Sequence, residues 1–344
     1  MDIGSIRYRL PTKRYSNNDV IALLPEYAPS LSAAEIDELS RRIELGYSLT
    51  GSKYRYWLDE GEFALDYAIS ACNEALEDAG IKASEVGAII YVGVGRGFLE
   101  PATAAAVQKY IGATNATSFD ILEACVSWVR GLEIAQSLLK TEQYDNVLLV
   151  NCEMGMRSFL AVGQELTPDN LHLYFSGLTV GEAATATVLL PSGQDFQFHF
   201  QTFPEGLGDC MIPLRNTDLF VRETLPEEAI SERFFALSGP LVHTGLNGIE
   251  KVFQRARYAD LAPPDLTLIH SVSEKASKAA LKRIGLDWDR HFDIHASHGN
   301  TVSASLPLGI ALAIEAGRLT DHGSDVLLIG AGAGVSVGLC RFTC

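Results

Sequence analysis

Two copies of an α/β unit, each with its sheet covered on both faces, are what this chain of 344 residues predicts. Short uninterrupted apolar runs, as in Ala-Ile-Ile-Tyr-Val (88–92) and Val-Leu-Leu-Ile (326–329), fit strands buried on both sides. Between such runs lie stretches like FALDYAISACNEALEDAG (63–80), whose apolar residues recur at helical spacing and whose closing Gly80 is suited to end a helix. The order of these pieces also repeats, and a repeat is the first thing to seek in a chain of this length.

The first copy reads VGAIIYVGVGR, QKYIGATNATSFDILEA, a helical stretch and YDNVLLVNCEMG. The second reads PDLTLIHSVSE, LKRIGLDWDRHFDIHAS, PLGIALAIEAGRL and GSDVLLIGAGAG. Each predicts a buried strand, a helix ending in Ile-Gly, a short Phe-Asp-Ile strand, another helix and a Val-Leu-Leu strand. Alternation of this kind implies layers of helices on largely buried sheets. The halves are expected at 1–190 and 191–344, divided at the Pro-Ser-Gly-Gln-Asp segment (191–195), where Pro and Gly interrupt two apolar strands. Residues 151–180 and 203–240 lack the alternation and are expected to be excursions that wall a substrate tunnel.

Composition narrows the function. A hydrophobic content of 47% supplies a large core, yet no apolar run reaches membrane-spanning length, so no membrane association is expected. The start of the chain has no apolar segment behind a basic stretch, and a cytoplasmic protein is the expectation. Six scattered cysteines without paired spacing predict reduced thiols, with neither a disulfide framework nor a zinc site. A formal charge of −16 argues against nucleic acid as a partner. One local exception is Lys275, Lys278, Lys282 and Arg283, which share a face of a predicted helix. The Gly-rich strings GVGRG and GAGAG lack the full spacing and acidic partner of a dinucleotide loop, so no metal or redox cofactor is implied.

Three residues carry candidate chemistry. Cys125 lies where an extended apolar run turns into an amphipathic helix, and a helix N-terminus favours thiolate over thiol. His270 ends a predicted strand, and Asn300 sits between Gly299 and Thr301. Each alone has an ordinary role: a buried cysteine packs, a strand-end histidine takes a structural hydrogen bond, and an asparagine makes a turn. His295 and His298 keep that ordinary role here, with His298 beside the asparagine.

Taken together, the duplicated halves, Cys125, His270 and the Gly-Asn-Thr-x-x-Ala-Ser string from Gly299 to Ser305 resemble the β-ketoacyl-acyl-carrier-protein synthase III-type enzymes of the thiolase superfamily. The resemblance implies a five-layered αβαβα fold, normally a homodimer. It implies Cys125 as nucleophile, His270 as base or hydrogen-bond donor, and Asn300 as donor. Backbone N–H groups of Cys125 and Ala333, the latter in the Gly332-Ala333-Gly334 turn, would form an oxyanion hole. A thiolate that attacks a thioester yields another thioester of similar energy, so the acyl group is held without a deep trap.

Two departures from the chain-initiating enzymes stand out. Glu100 precedes Pro101 where those enzymes tend to carry an aromatic residue, and this resembles enzymes of olefin biosynthesis that join two acyl thioesters head to head. There the matching glutamate reaches in from the partner subunit as a base. An extender that loses no carbon dioxide must lose an α-proton, and a carboxylate raised by burial suits that task. Upstream, Leu45 and Leu49 stand where coenzyme A-using relatives carry the adenine-clamping tryptophan and arginine. With the basic face at positions the family uses for docking, this favours acyl-carrier-protein-bound substrates. Decarboxylative, malonyl-dependent initiation, acyl transfer to oxygen or nitrogen, and an inactive partner subunit of a heterodimer are the alternatives.

Overall fold

A computed structural model describes residues 1–159, 166–222, 225–227, 229–270, 272–319 and 323–344. The strands are β1 (Asp2–Arg9), β2 (Lys13–Ser16), β3 (Tyr54–Trp57), β4 (Ala88–Val92), β5 (Thr117–Ile121), β6 (Val147–Glu153), β7 (Ala183–Leu190), β8 (Gln197–Thr202), β9 (Cys210–Met211), β10 (Phe235–Ala236), β11 (Leu266–Ile269), β12 (Asp325–Gly332) and β13 (Ser336–Thr343). The α-helices are α1 (Asn17–Ala22), α2 (Leu24–Tyr27), α3 (Ala33–Thr50), α4 (Ala64–Asp78), α5 (Thr103–Ile111), α6 (Ser127–Lys140), α7 (Leu171–Tyr174), α8 (Thr217–Phe220), α9 (Ser238–Arg255), α10 (Glu274–Ile284), α11 (His295–His298) and α12 (Ser305–Glu315). No helix among the described residues is long and apolar enough to cross a membrane.

Two sheets organise the chain. One runs β1-β7-β6-β4-β5, with β4 parallel to β5 and β6; the other runs β11-β12-β13-β8, with β11 parallel to β12. In each, the last parallel strand pairs antiparallel with the next strand in order, β6 with β7 and β12 with β13. Sheet membership changes between β7 and β8, across residues 191–196.

Alternation along β4 shows why five layers form. Ala88, Ile90 and Val92 face a core shared with α6, α12 and the second sheet's Leu266, Leu268, Val326 and Leu328. Ile89 and Tyr91 face the opposite way, against α4 and α5. The second sheet repeats this: Leu327, Ile329, Val337 and Leu339 pack on α9 and α10. The layers are therefore α4 and α5, sheet, α6 and α12, sheet, α9 and α10, the αβαβα arrangement of a thiolase-like fold. Helix α12 is apolar nearly all round, as a helix between two sheets must be. Each large aliphatic side chain fully buried there contributes roughly 1.5–3 kcal/mol.

Helix ends obey the predicted signals. Both Ile-Gly pairs end helices: α5 stops at Ile111 with Gly112 at φ 75°, and α10 stops at Ile284 with Gly285 at φ 73°. After α4, Gly80 is left-handed, and the Ile81 N–H reaches back to Leu76 O at 2.9 Å. One expected strand fails. Phe119-Asp120-Ile121 lies in β5, but Phe292-Asp293-Ile294 forms no strand, and only a single bridge joins His291 to Thr267. The reason is local. Asp293 Oδ1 accepts the His295 N–H at 3.4 Å, and the chain turns at once into α11.

The two excursions and the first fifty-odd residues share one apolar cluster, which includes Leu39, Tyr47, Trp57, Leu173, Tyr174, Leu178 and Phe235 and against which Cys125 packs. Parts of the expected tunnel wall, residues 160–165, 223, 224 and 228, lie outside the described residues.

Candidate active site

Cys125 occupies the middle of a short 3-10 turn, Ala124–Val126, directly before α6. The turn holds Ala124 at φ 46°, a left-handed conformation costly for a residue with a Cβ and kept only where surrounding structure enforces it. Ser127 enforces it in part: its hydroxyl donates to Ala124 O at 2.7 Å and accepts the Glu123 N–H at 2.7 Å. Against the thiol lies the end of β12. A Cβ on Gly332 would stand 3.0 Å from the Cys125 nitrogen and 3.1 Å from its Cβ, so any side chain there would press on the Cys125 turn.

The helix-end expectation of a favoured thiolate meets an opposing effect. Burial pushes the Cys125 thiol up, and the neighbouring Cys210 and Glu153 raise it further; only its own backbone N–H works the other way. Low-dielectric surroundings disfavour the charged form of the sulfur. The direction favours the thiol over the thiolate.

His270 follows β11, with its backbone N–H on Ile329 O at 2.8 Å and its side chain buried. Nδ1 lies 3.1 Å from Ser305 Oγ, while Nε2 is buried with no hydrogen-bond partner among the described residues. Burial, reinforced by His295, lowers its pKa to about 4, so the imidazole is neutral. Asn300 is buried and rigid. Its N–H bonds Thr179 O at 2.8 Å, its carbonyl takes the Gly181 N–H at 2.9 Å, and its Oδ1 takes the Val302 N–H at 2.9 Å. With Oδ1 so engaged, Nδ2 points away as a donor with no partner among the described residues. Gly299, at φ 71°, is required before it, because a Cβ there would collide with Thr179 O. His298 stacks on Tyr56, with centroids 5.6 Å apart, and burial lowers its pKa to about 4.

The Cys125 turn packs against the 302–304 turn that follows Asn300; the Cys125 turn also meets β12 and β13 of the second sheet, while the 302–304 turn meets β6 and β7 of the first. Ala333 is half-buried in the turn after Gly332, which is anchored by Val335 on Phe203 in both directions, at 2.7 and 3.0 Å. Its own N–H makes no backbone hydrogen bond among the described residues.

Glu100 is exposed on this chain, so the burial expected to raise it is absent unless another chain covers it. Of the four basic residues on α10, Lys278 is paired with Glu274, and Arg283 bonds Asn247 at 2.5 Å with Glu250 3.8 Å away. Lys275 and Lys282 are exposed and make no ion pair among the described residues, so the basic face is narrower than its sequence. Leu45 and Leu49 are 60% and 57% exposed on α3 and form no clamp. Among the described residues no cluster of three or more His, Cys, Asp or Glu could hold a metal ion.

Sequence reasoning missed a buried polar tie between the halves. Glu153 accepts the Val94 N–H at 3.0 Å, the Gly95 N–H at 2.7 Å and the Ser303 hydroxyl, and Asn151 Nδ2 donates to Ser303 Oγ at 2.7 Å and Val92 O at 2.9 Å. Its signal was an asparagine and a glutamate inside the apolar strand VLLVNCE.

Two family models match: 3-oxoacyl-[acyl-carrier-protein] synthase III over residues 119–203, and the C-terminal part of the same enzyme over residues 259–343. The β-ketoacyl-[acyl-carrier-protein] synthase III of Clostridioides difficile is 29% identical, covering 84% of this chain and 86% of that protein. An acyl-CoA:acyl-CoA alkyltransferase of Xanthomonas campestris is 26% identical, covering 89% of each. Among solved structures, Xanthomonas campestris OleA with bound lauric acid and lauroyl-CoA superposes with a TM-score of 0.83 at 23% identity, over 99% of this chain and 98% of that one. The 3-oxoacyl-[acyl-carrier-protein] synthase III of Aquifex aeolicus gives 0.80 at 21% identity, over 99% of each chain.

Proposed function

For this chain, a β-ketoacyl synthase III-like condensing enzyme of the thiolase fold and hence an acyltransferase, we propose a non-decarboxylative Claisen condensation of two acyl thioesters. The observation that carries the site is the meeting of the Cys125 turn, itself seated against the Gly332 end of β12, with the turn after Asn300, one from each sequence half. Cys125 takes the acyl group from the first thioester, and the Cys125 and Ala333 N–H groups hold the oxyanion. Asn300 Nδ2, fixed by the Oδ1 bond to Val302, then donates to the enolate oxygen of the second thioester. No cofactor takes part.

Glu100 supplies the base, from a second copy of the chain. Support comes from its exposure beside Phe98 and Leu99, 41% and 71% exposed, and from β5 at the edge of its sheet with Leu122, 61% exposed, just beyond it. A homodimer closing over that edge would bury these apolar groups and bring the carboxylate into apolar surroundings. The similarity to an acyl-CoA:acyl-CoA alkyltransferase points the same way. Lys275 and Lys282 provide the docking charge for an acyl carrier protein. We also keep 1–190 and 191–344 as the two halves.

Hydrogen–deuterium exchange at the α-carbon of a saturated acyl thioester tests the base. Glu100→Ala should lose the exchange while intact mass still shows the acyl adduct on Cys125. Equal exchange in wild type and variant would remove Glu100 from the chemistry.

A further inference from the structure

We propose that Ser305 is a positioning residue that holds His270 as the Nδ1–H tautomer, leaving Nε2 as a proton acceptor facing the reaction. The inference rests on the condensing reading above for its chemical consequence, and on hydrogen-bond valence for the assignment itself.

Ser305 has one proton to give. Val302 O, 2.9 Å away, can only accept, and Thr301 Oγ1 donates to Ser305 Oγ at 3.1 Å. The Ser305 proton therefore goes to Val302, one lone pair takes the Thr301 proton, and the remaining lone pair faces His270 Nδ1 at 3.1 Å. Only an N–H satisfies that contact. The other copy of the fold supports the polarity. Ser127 opens α6 as Ser305 opens α12, and it gives its proton to Ala124 O, three residues back, while its lone pair takes a backbone N–H from Glu123, a group that can only donate. The same serine in the same turn thus sends its proton backward and keeps its oxygen as an acceptor.

A neutral imidazole with its proton on Nδ1 carries a lone pair on Nε2, and Nε2 is the buried ring atom without a partner among the described residues. Of the two roles expected from sequence for His270, base or hydrogen-bond donor, this tautomer supplies the base at rest. As the Cys125 sulfur attacks the thioester carbonyl, its S–H bond breaks and the S–C bond forms, and the proton passes to Nε2. The imidazolium returns that proton to the departing thiolate, so one thioester and one thiol become another thioester and another thiol. Nε2 is a donor only during that interval, which leaves Asn300 as the side-chain donor in the carbon–carbon step.

Two-bond proton–nitrogen correlation spectra of enzyme labelled with 15N-histidine report the tautomer without substrate, with His270→Val as the assignment control. The expected result is His270 protonated at Nδ1 and bare at Nε2; protonation at Nε2 would overturn the proposal. Ser305→Ala should shift the ring toward the other tautomer and slow single-turnover acylation of Cys125 by about 100-fold, and Ser305→Thr should restore both. Unchanged tautomer and acylation in Ser305→Ala would also overturn it. If Ser305→Ala does not fold, the wild-type spectrum decides alone. Failure of Cys125 to accept any acyl group, with Nδ1 protonated, would count against the condensing reading and leave the tautomer assignment standing.

Discussion

The turn that presents Cys125 and the turn that follows Asn300 are the same structure used for opposite ends. Residues 123–127 and 301–305 each run through one left-handed non-glycine position, Ala124 at φ 46° and Val302 at φ 49°, into a 3-10 turn and then a buried central helix. Each ends on a serine bonded to the carbonyl three residues back. At the middle position they part. Cys125 is partly exposed and its side chain makes no hydrogen bond among the described residues, whereas Ser303 is fully buried and held by Glu153 and Asn151. One copy leaves its central side chain open for chemistry; the other spends it as a strut that fixes the first sheet to the segment carrying Asn300. A duplicated fold acquires an asymmetric site in this way, by satisfying one twin and leaving the other unsatisfied.

Moving the thiol from one twin to the other is the strongest way to break the comparison. Cys125→Ala should abolish the acyl adduct in intact-mass measurements and lower turnover by about 1,000-fold or more. Ser303→Cys in that background should recover neither, because the relocated thiol is walled in beneath Glu153. An acyl group on residue 303 would show the turns to be equally reachable and the contrast unfounded.

The strand ends sharpen it further. His270 lies one residue past the Ile269–Ile329 pair, the place that Val92 holds past Tyr91–Val150, so one copy buries an imidazole where the other buries an isopropyl group. With its pKa lowered to about 4, folded His270 stays neutral while the unfolded chain takes up a proton below the ordinary 6.5. Its stability is thus full above pH 6.5 and is lost as pH falls toward 4, amounting to about 2 kcal/mol by pH 5. His270→Val, which makes the second copy like the first, should shrink the difference in urea stability between pH 7 and pH 5 by that amount. His298, shifted the same way, keeps part of the acid slope in the variant. An unchanged slope would mean that His270 is already protonated in the native protein.

These contrasts were unevenly legible in the sequence. The buried strands, the helices between them and the helix ends were readable because buried runs, helical spacing and Ile-Gly pairs are local signals repeated in both halves, whereas the five layers came from the family resemblance. Cys125, His270 and Asn300 could be singled out by residue type and by family-like strings. The equivalence of the two turns could not, since Glu-Ala-Cys-Val-Ser and Thr-Val-Ser-Ala-Ser share little beyond a final serine, and what they share is a backbone angle. Phe-Asp-Ile misled for the converse reason. Asp120 caps α5 through the Thr103 and Ala104 N–H groups at 2.8 and 2.9 Å, whereas Asp293 turns the chain and Ser273 caps α10 instead.

The outer helices give the mildest contrast. Helix α5 carries a single cation, Lys109, lying over Tyr110, while its counterpart α10 carries Lys275, Lys278, Lys282 and Arg283. Chain-wide charge is −16, so this patch works against the surrounding field and must act at close range. Two of its members are compensated: Lys278 by Glu274, with the Trp288 ring 4.8 Å away, and Arg283 by Asn247 and Glu250. A carboxylate-rich carrier protein would therefore meet Lys275 and Lys282 first. Reversing both to Glu should lower kcat/KM for carrier-bound acyl groups by about tenfold at low salt, through slower encounter, and by less as salt rises. Turnover of a small acyl thioester should not change, because neither lysine enters the reaction. Reversing Lys278 and Arg283 should do less, since each removes a cation whose field a neighbour already offsets or whose hydrogen bond holds α10 to α9. Equal loss from both pairs would spread the docking charge over the whole helix face, and no loss from either would move the carrier to another surface.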